Sequence, residues 1–381
     1  MSSFAEYLDD LRKKSRLREI PSGGNGLIDL VSNDYLGLAS RRDEFKEEFF
    51  DRFGDAAFSS SASRLLSREQ KYHSLLEEKL GCLYEKEVLL FNSGYHANAG
   101  VLSALGTRNT LFLSDSLMHA SAIDGMMLAK GYGKSTVITF PHNDITALRK
   151  ILDEKFESFE RVVVVTEGIF SMDGDLAPLG ELAATKQEFP GLLLYVDEAH
   201  SFGVRGKKGL GVGEETGVLK DIDILIGTMG KACGSSGAFV ATTDEIRDYL
   251  LNRARSFIFS TALAPFNVAW SLLMIEKIEG MEEEREKLKK LSSEFEWMLR
   301  NEKGCSPTAD PGSVSQIRPY LCGSAEKAVD MAKQLRESGY DVLPIRYPTV
   351  AEGTERLRFS LNSTLEIEKL LPIKEIISQY Y

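Results

Sequence analysis

"DILIGTMGKACGSSGAFVATT", Asp223–Thr243, decides the fold. An apolar, strand-length run ends at Gly227, and Lys231 follows among Gly, Ala, Ser and Cys. A second apolar run, Gly237–Thr243, begins too soon for a helix to intervene. Lysines are rarely buried, and small residues mark places where backbone comes close to something. The spacing therefore predicts a buried strand, a tight turn carrying Lys231, and an antiparallel return strand.

The same character recurs upstream in "VLLF" (Val88–Phe91), "TLFL" (Thr110–Leu113), "TVITF" (Thr136–Phe140), "VVVVT" (Val162–Thr166) and "LLLYV" (Leu192–Val196). These runs are apolar throughout rather than alternating, as strands covered by helices on both faces should be. Helix-length stretches separate them, which predicts an α/β fold with a mainly parallel central sheet and helices on both faces. We expect an N-terminal helical segment over 1–40, a large domain over 41–275 and a smaller α+β domain over 276–381. The charged helix "EGMEEEREKLKKLSSEFEWMLR" (Glu279–Arg300) leads into the last of these, and its charge run reads as a solvated face.

Composition excludes several classes. The formal charge of −11 over 381 residues works against binding a phosphate backbone. The N-terminus, "MSSFAEYLDDLRKKSRLREI", is polar and lacks an apolar signal core, and no run approaches the ~20 residues of a membrane span. Cys82, Cys233, Cys305 and Cys322 are scattered without CxxC spacing, which suits a reducing compartment and argues against zinc. A cytoplasmic protein without nucleic acid, membrane or metal is expected.

Two nucleotide-binding decoys are rejected. "GKST" (Gly133–Thr136) looks like the end of a P-loop, but Leu128 stands at the first glycine position, and a helix leads into a strand, the reverse of the P-loop order. "VDEAH" (Val196–His200) matches a helicase box, yet no second motor-like domain accompanies it.

Ligands of α/β sheets sit at the carboxyl ends of the strands. After "VLLF", Ser93, Gly94 and Tyr95 open a helix, whose free amides suit a phosphate. After "TLFL" comes His119; after "LLLYV" come Asp197 and His200; after "DILIG" come Thr228 and Lys231. A phosphate cradle, imidazoles, a buried carboxylate and a lysine would thus converge, a set that pyridoxal 5′-phosphate (PLP) requires.

At these motifs the chain resembles the α-oxoamine synthase family of fold-type I (aspartate aminotransferase-like) PLP enzymes. "SNDYLGL" (Ser32–Leu38), "TEGIFSMDGDLAPL" (Thr166–Leu179), "VDEAHSFG" (Val196–Gly203) and "TMGKACG" (Thr228–Gly234) carry the resemblance, in order and over nearly the whole chain. The resemblance implies that Lys231 forms the Schiff base, Asp197 pairs with the pyridinium nitrogen and His119 stacks on the ring. It implies that His200 and Ser171 lie near the phenolic oxygen, and that Thr228, Ser93, Gly94 and Tyr95 contact the phosphate. Ser260 and Thr261, in "FSTALAP", match a segment that reaches the neighbouring subunit's phosphate, implying an obligate homodimer. Arg358 resembles the arginine that holds the amino acid carboxylate, with Arg346, Asn33 and one of Arg16 or Arg18 as further substrate-channel candidates. Strand alternation with Arg358 is expected to turn Arg356 to solvent, and His73, His96 and His142 are expected to be structural.

The resemblance also implies a reaction, decarboxylative condensation of an amino acid with an acyl thioester. "PTVAEGTERLRFSL" (Pro348–Leu361) is most similar to members that join L-alanine to a pimeloyl donor on coenzyme A or acyl carrier protein, in biotin-ring synthesis. Other members use glycine or serine with a different acyl-CoA, and a non-catalytic PLP-fold protein is a further alternative. The chain departs from its relatives in "AFSSSASRLLSREQ" (Ala57–Gln70), where Arg68 replaces a usual glycine, and at Cys233, where an aromatic is common. A packing role is expected for Cys233.

Overall fold

The computed structural model describes residues 3–20, 26–305 and 314–380. Chain contacts divide the protein into two compact units, one of Leu36–Phe170 and Leu176–Arg285, the other of Met1–Tyr35, Ser171–Asp175 and Glu286–Tyr381.

The first unit is built on a seven-stranded sheet. In chain order its strands are β1 (Glu87–Phe91), β2 (Thr110–Asp115), β3 (Thr136–Phe140), β4 (Arg161–Glu167), β5 (Leu193–Asp197), β6 (Ile224–Thr228) and β7 (Ala238–Thr242). They lie side by side as β1-β7-β6-β5-β4-β2-β3. β2 to β6 are parallel, and β7 runs antiparallel to both β6 and β1. The short return after Lys231 is therefore antiparallel, as its length requires. Leu111–Leu113, Val162–Val165 and Ile224–Ile226 are buried along their whole length. Each such side chain gains about 1.5–3 kcal/mol on leaving water, which accounts for unbroken apolar runs in the middle of the sheet.

The turn joining β6 to β7 explains its small residues. Gly234 adopts φ +57°, its amide donates to Lys231 O at 2.9 Å, and a Cβ there would stand 2.7 Å from Ala39 N. Ala232 and Cys233 are buried, and burial pushes the Cys233 thiol strongly upward, so it packs rather than reacts. "GKST" begins on the last residue of a single π-helical turn, Ala129–Gly133, and runs into β3. This is helix into strand, so no phosphate loop forms.

The second unit contains a three-stranded antiparallel sheet in the order β9-β10-β8, with β8 (Ile317–Leu321), β9 (Leu343–Ile345) and β10 (Arg356–Ser360), together with helices Ala325–Glu337 and Ile367–Ser378. The central strand, β10, is buried throughout. This corrects the expectation for Arg356. Residues two apart in a strand share a face, so Arg356 lies on the same side as Arg358. It forms an ion pair with Asp173 and is 6% exposed. Among the described residues, no helix is long and apolar enough to cross a membrane.

Candidate active site

The anion end of the site begins at α1 (Gly94–Leu105), the helix that follows β1. Ser93 is its N-cap, accepting His96 N–H on Oγ at 3.2 Å. The first-turn amides of Gly94 and Tyr95 have no partner inside the helix and carry the positive end of its dipole. Thr228, the last residue of β6, lies beside them: a Cβ on Gly94 would stand 3.9 Å from Thr228 Oγ1. Thr228 is held by its own turn, donating to Gly237 O at 3.1 Å and accepting Gly230 N–H at 3.3 Å. The Tyr95 ring is partly exposed, and its hydroxyl bonds the Asp124 carboxylate.

Asp197 ends β5 and is buried. Its Oδ1 accepts Ala199 N–H at 2.9 Å and its Oδ2 accepts Asn98 Nδ2–H at 2.7 Å. Asn98, on the inward face of α1, is itself fixed, donating to Ser121 Oγ at 2.9 Å and accepting from Tyr195 Oη at 2.5 Å. Ser121 lies 2.7 Å from His119 Nδ1, so one hydrogen-bonded chain links the carboxylate to the imidazole. His119 caps α2 (Ala120–Leu128). Burial lowers its pKa more than Asp197 raises it, so the ring is neutral.

Lys231 Nζ is 2.8 Å from His200 Nε2, three residues beyond Asp197 in the chain. The loop carrying His200 is pinned by Glu198, whose carboxylate accepts Gly213 N–H at 2.8 Å, Val212 N–H at 3.0 Å and the Ser201 hydroxyl. Burial pushes Glu198 up to about 6 despite these donors. Gly211, at φ +114°, leaves room for it; a Cβ there would stand 2.6 Å from Glu198 Cδ.

Ser260 and Thr261 form an ordered segment beside β1. Asn92 Nδ2 donates to Ser260 Oγ at 3.2 Å and to Thr261 O at 2.8 Å, and Ser63 pairs with Thr261 in a β-bridge. The serine-rich loop thus braces this segment: Ser60 Oγ donates to Leu263 O at 2.7 Å. His73 Nε2 meets the same carbonyl at 3.1 Å, His96 Nδ1 is 3.0 Å from Ser93 Oγ, and His142 Nδ1 is 2.9 Å from Asp115 Oδ1.

The second unit holds the remaining candidates. Arg358 is 8% exposed and donates from Nε to Ser171 O at 2.6 Å and from Nη2 to Asn33 Oδ1 at 3.1 Å. Among the described residues no carboxylate pairs with it, whereas Arg356 has Asp173. Arg346 Nη1 donates to Ser15 O at 2.7 Å, Arg16 pairs with Glu352 at 2.5 Å and stacks on Tyr347, and Arg18 donates to Thr349 Oγ1 at 2.7 Å.

Sequence reading missed Asn98, Ser121, Glu167 and Glu198. Glu167 was visible as a carboxylate at the end of a buried strand, and Glu198 as the residue after another. Asn98 lies four residues after Gly94, and thus on a neighbouring turn of the same helix.

This donor set fits PLP: an amine for its aldehyde, a buried, oriented carboxylate for its ring nitrogen, and helix-end amides with hydroxyls for its phosphate. The fold and site define a fold-type I PLP-dependent enzyme. A model of aminotransferase class I and II matches residues 25–372, and the chain belongs to that family. A Pasteurella multocida protein carrying the provisional name 8-amino-7-oxononanoate synthase is 42% identical over 96% of both chains. A Neisseria meningitidis protein with the same provisional name is 39% identical over 97% of this chain and 98% of its own. Among solved structures, a serine palmitoyltransferase variant from S. paucimobilis with a bound PLP–myriocin aldimine superposes with a TM-score of 0.84 at 28% identity, covering 93% of this chain and 87% of that one. An 8-amino-7-oxononanoate synthase from Francisella tularensis gives 0.79 at 29% identity, covering 93% and 98%. The protein is an α-oxoamine synthase, a PLP-dependent acyltransferase.

Proposed function

We infer that the chain condenses L-alanine with a pimeloyl thioester, giving 8-amino-7-oxononanoate for biotin-ring synthesis. The observation that carries this reading is the near-full-length match, at 42% identity, to a protein provisionally given that activity. Arg358 supports it chemically: a buried guanidinium with no carboxylate partner among the described residues suits the carboxylate of an amino acid.

PLP, when bound, supplies an electron sink for charge that develops at the amino acid Cα. The chain's own groups do the rest. Arg358 binds the α-carboxylate, and Asn33, Arg346 and Arg16 are assigned to the substrate channel. Lys231 Nζ is the amine that holds the cofactor between turnovers, and it takes the Cα proton. Asp197, oriented by Asn98, keeps a proton on the cofactor's ring nitrogen. His119 offers a neutral ring face, and His119 or His200 hydrogen-bonds the thioester carbonyl. Ser93, Gly94, Tyr95 and Thr228 hold the phosphate, joined by Ser260 and Thr261 of a second copy in a homodimer. In net, alanine, the thioester and a proton give the amino ketone, carbon dioxide and the free thiol.

A thiol-release assay tests this directly. Alanine with a pimeloyl donor, on coenzyme A or on acyl carrier protein, should give turnover. A higher kcat/KM with glycine or serine, or no release from either pimeloyl donor, would overturn it.

A further inference from the structure

Glu167 and Asp197 are the last residues of β4 and β5 and are register partners across that parallel pair. Their side chains therefore leave the same face of the sheet. Both are buried, and neighbouring carboxylates away from water do not both stay charged. The donors around them decide which one keeps the proton. Asp197 accepts an N–H on each oxygen, from Ala199 and Asn98. Glu167 accepts one, from His119 N at 2.6 Å. Donated N–H bonds favour the charged form, and aspartic acid is intrinsically the stronger acid.

The other charged groups point the same way. Burial first, and then Asp197, push the Glu167 acid well upward against the pull of Lys231, and Asp115 at the end of β2 adds to the push. Asp115 is itself held by His142 Nδ1, Leu117 N and Asn143 N.

We propose that Glu167 is a positioning residue that stays protonated while Asp197 carries the charge. Its carboxyl fixes the backbone of His119 where α2 begins. Its neutrality has two consequences: the His119 imidazole is not drawn into its charged form, and Asp197 remains the anion available to the cofactor nitrogen. The second consequence rests on the role given to Asp197 above.

Infrared difference spectroscopy of the apoprotein at about pH 8 tests the proton directly, because ordinary carboxyls are ionised there. A carboxylic acid stretch that moves in D2O should be lost in Glu167→Gln. It should also shift when glutamate side chains are labelled with 13C. Absence of the band, its survival in Glu167→Gln, or indifference to the glutamate label would overturn the proposal. If that variant does not fold, Glu167→Asp takes its place: the acid band should then no longer shift with the glutamate label, and a band that still shifts would overturn the proposal. In the PLP-loaded protein, Glu167→Gln should leave the pH midpoint of cofactor absorbance unchanged, because a neutral amide replaces a neutral acid. A midpoint shift of about one pH unit would show a charged Glu167. A wrong role for Asp197 shows separately, as a cofactor spectrum indifferent to Asp197→Asn while the apoprotein band stands.

Discussion

Lys231 Nζ stands 2.8 Å from His200 Nε2, the lysine following β6 and the histidine following β5. When the amine donates, the imidazole accepts at Nε2 and carries its proton on Nδ1. The contact holds the amine at the strand ends. Borohydride reduction of the holoprotein should fix the cofactor to Lys231. Lys231→Ala should lose at least ~10²–10⁴-fold in turnover through loss of the base alone. A reduced label on any other lysine, read by peptide mass mapping, would reassign the site.

His73 gives a prediction about acid stability. It is buried, and its Nε2–H donates to Leu263 O. Burial, helped by Arg64, lowers its pKa to about 4. The unfolded chain takes up the proton near pH 6.5, so this contribution is complete above that pH and fades as the pH falls toward 4. Between pH 7.5 and pH 5 the loss is about 2 kcal/mol. Glu198, pushed up to about 6, contributes the opposite slope, so the comparison must isolate the histidine. Urea unfolding of the apoprotein should show wild type losing about 2 kcal/mol more than His73→Asn over that interval. Parallel pH profiles for the two proteins would refute the assignment.

How much of this was legible depended on the distance over which each residue acts. The unbroken apolar runs gave the sheet, and the shortness of 229–237 gave the antiparallel strand, because both are local consequences of burial and chain length. Strand-end placement likewise marked Asp197, His200, Thr228 and Lys231. Asn98 was hidden because its partner is 99 residues away. Glu167 was hidden because its importance comes from register with Asp197 on the next strand. Arg356 was misplaced because strand alternation was applied to two residues that share a face, and Asp173, which partners it, is remote in sequence.

Arg358 should control amino acid binding. Its Nε and Nη2 are engaged by Ser171 O and Asn33 Oδ1, which fix the plane of the guanidinium without neutralising it. A charge-assisted hydrogen bond contributes about 1.5–3 kcal/mol, so Arg358→Ala should raise the KM for alanine roughly 10–150-fold. The KM for the acyl donor should change little. Arg358→Lys should recover part of the loss, because the charge returns without the planar fork. Equal effects on both substrates would point to a folding defect instead.

The last expectation concerns the second copy. Thr261 is exposed, and its segment is fastened from within by Asn92 and Ser63 rather than hidden by them. Nearby, Phe259 is 71% exposed and Tyr132 is 85% exposed, and they line a groove of about 770 Å³ with Leu128 and Ile258. Large apolar side chains clustered at a surface mark an interface, and a two-fold dimer would bury the same patch from both copies. If Ser260 and Thr261 complete the phosphate site of the other copy, each site needs two chains, and PLP should stabilise the dimer by mass action. Sedimentation of the holoprotein should show a dimer that loosens when PLP is removed. Mixing two inactive variants, Lys231→Ala and Thr261→Asp, should restore part of the activity. In the mixed dimer, one site joins the intact Lys231 of one chain to the intact Thr261 of the other. No recovery, when subunit exchange is verified by mass-tagged chains, would show that each site is built from a single chain.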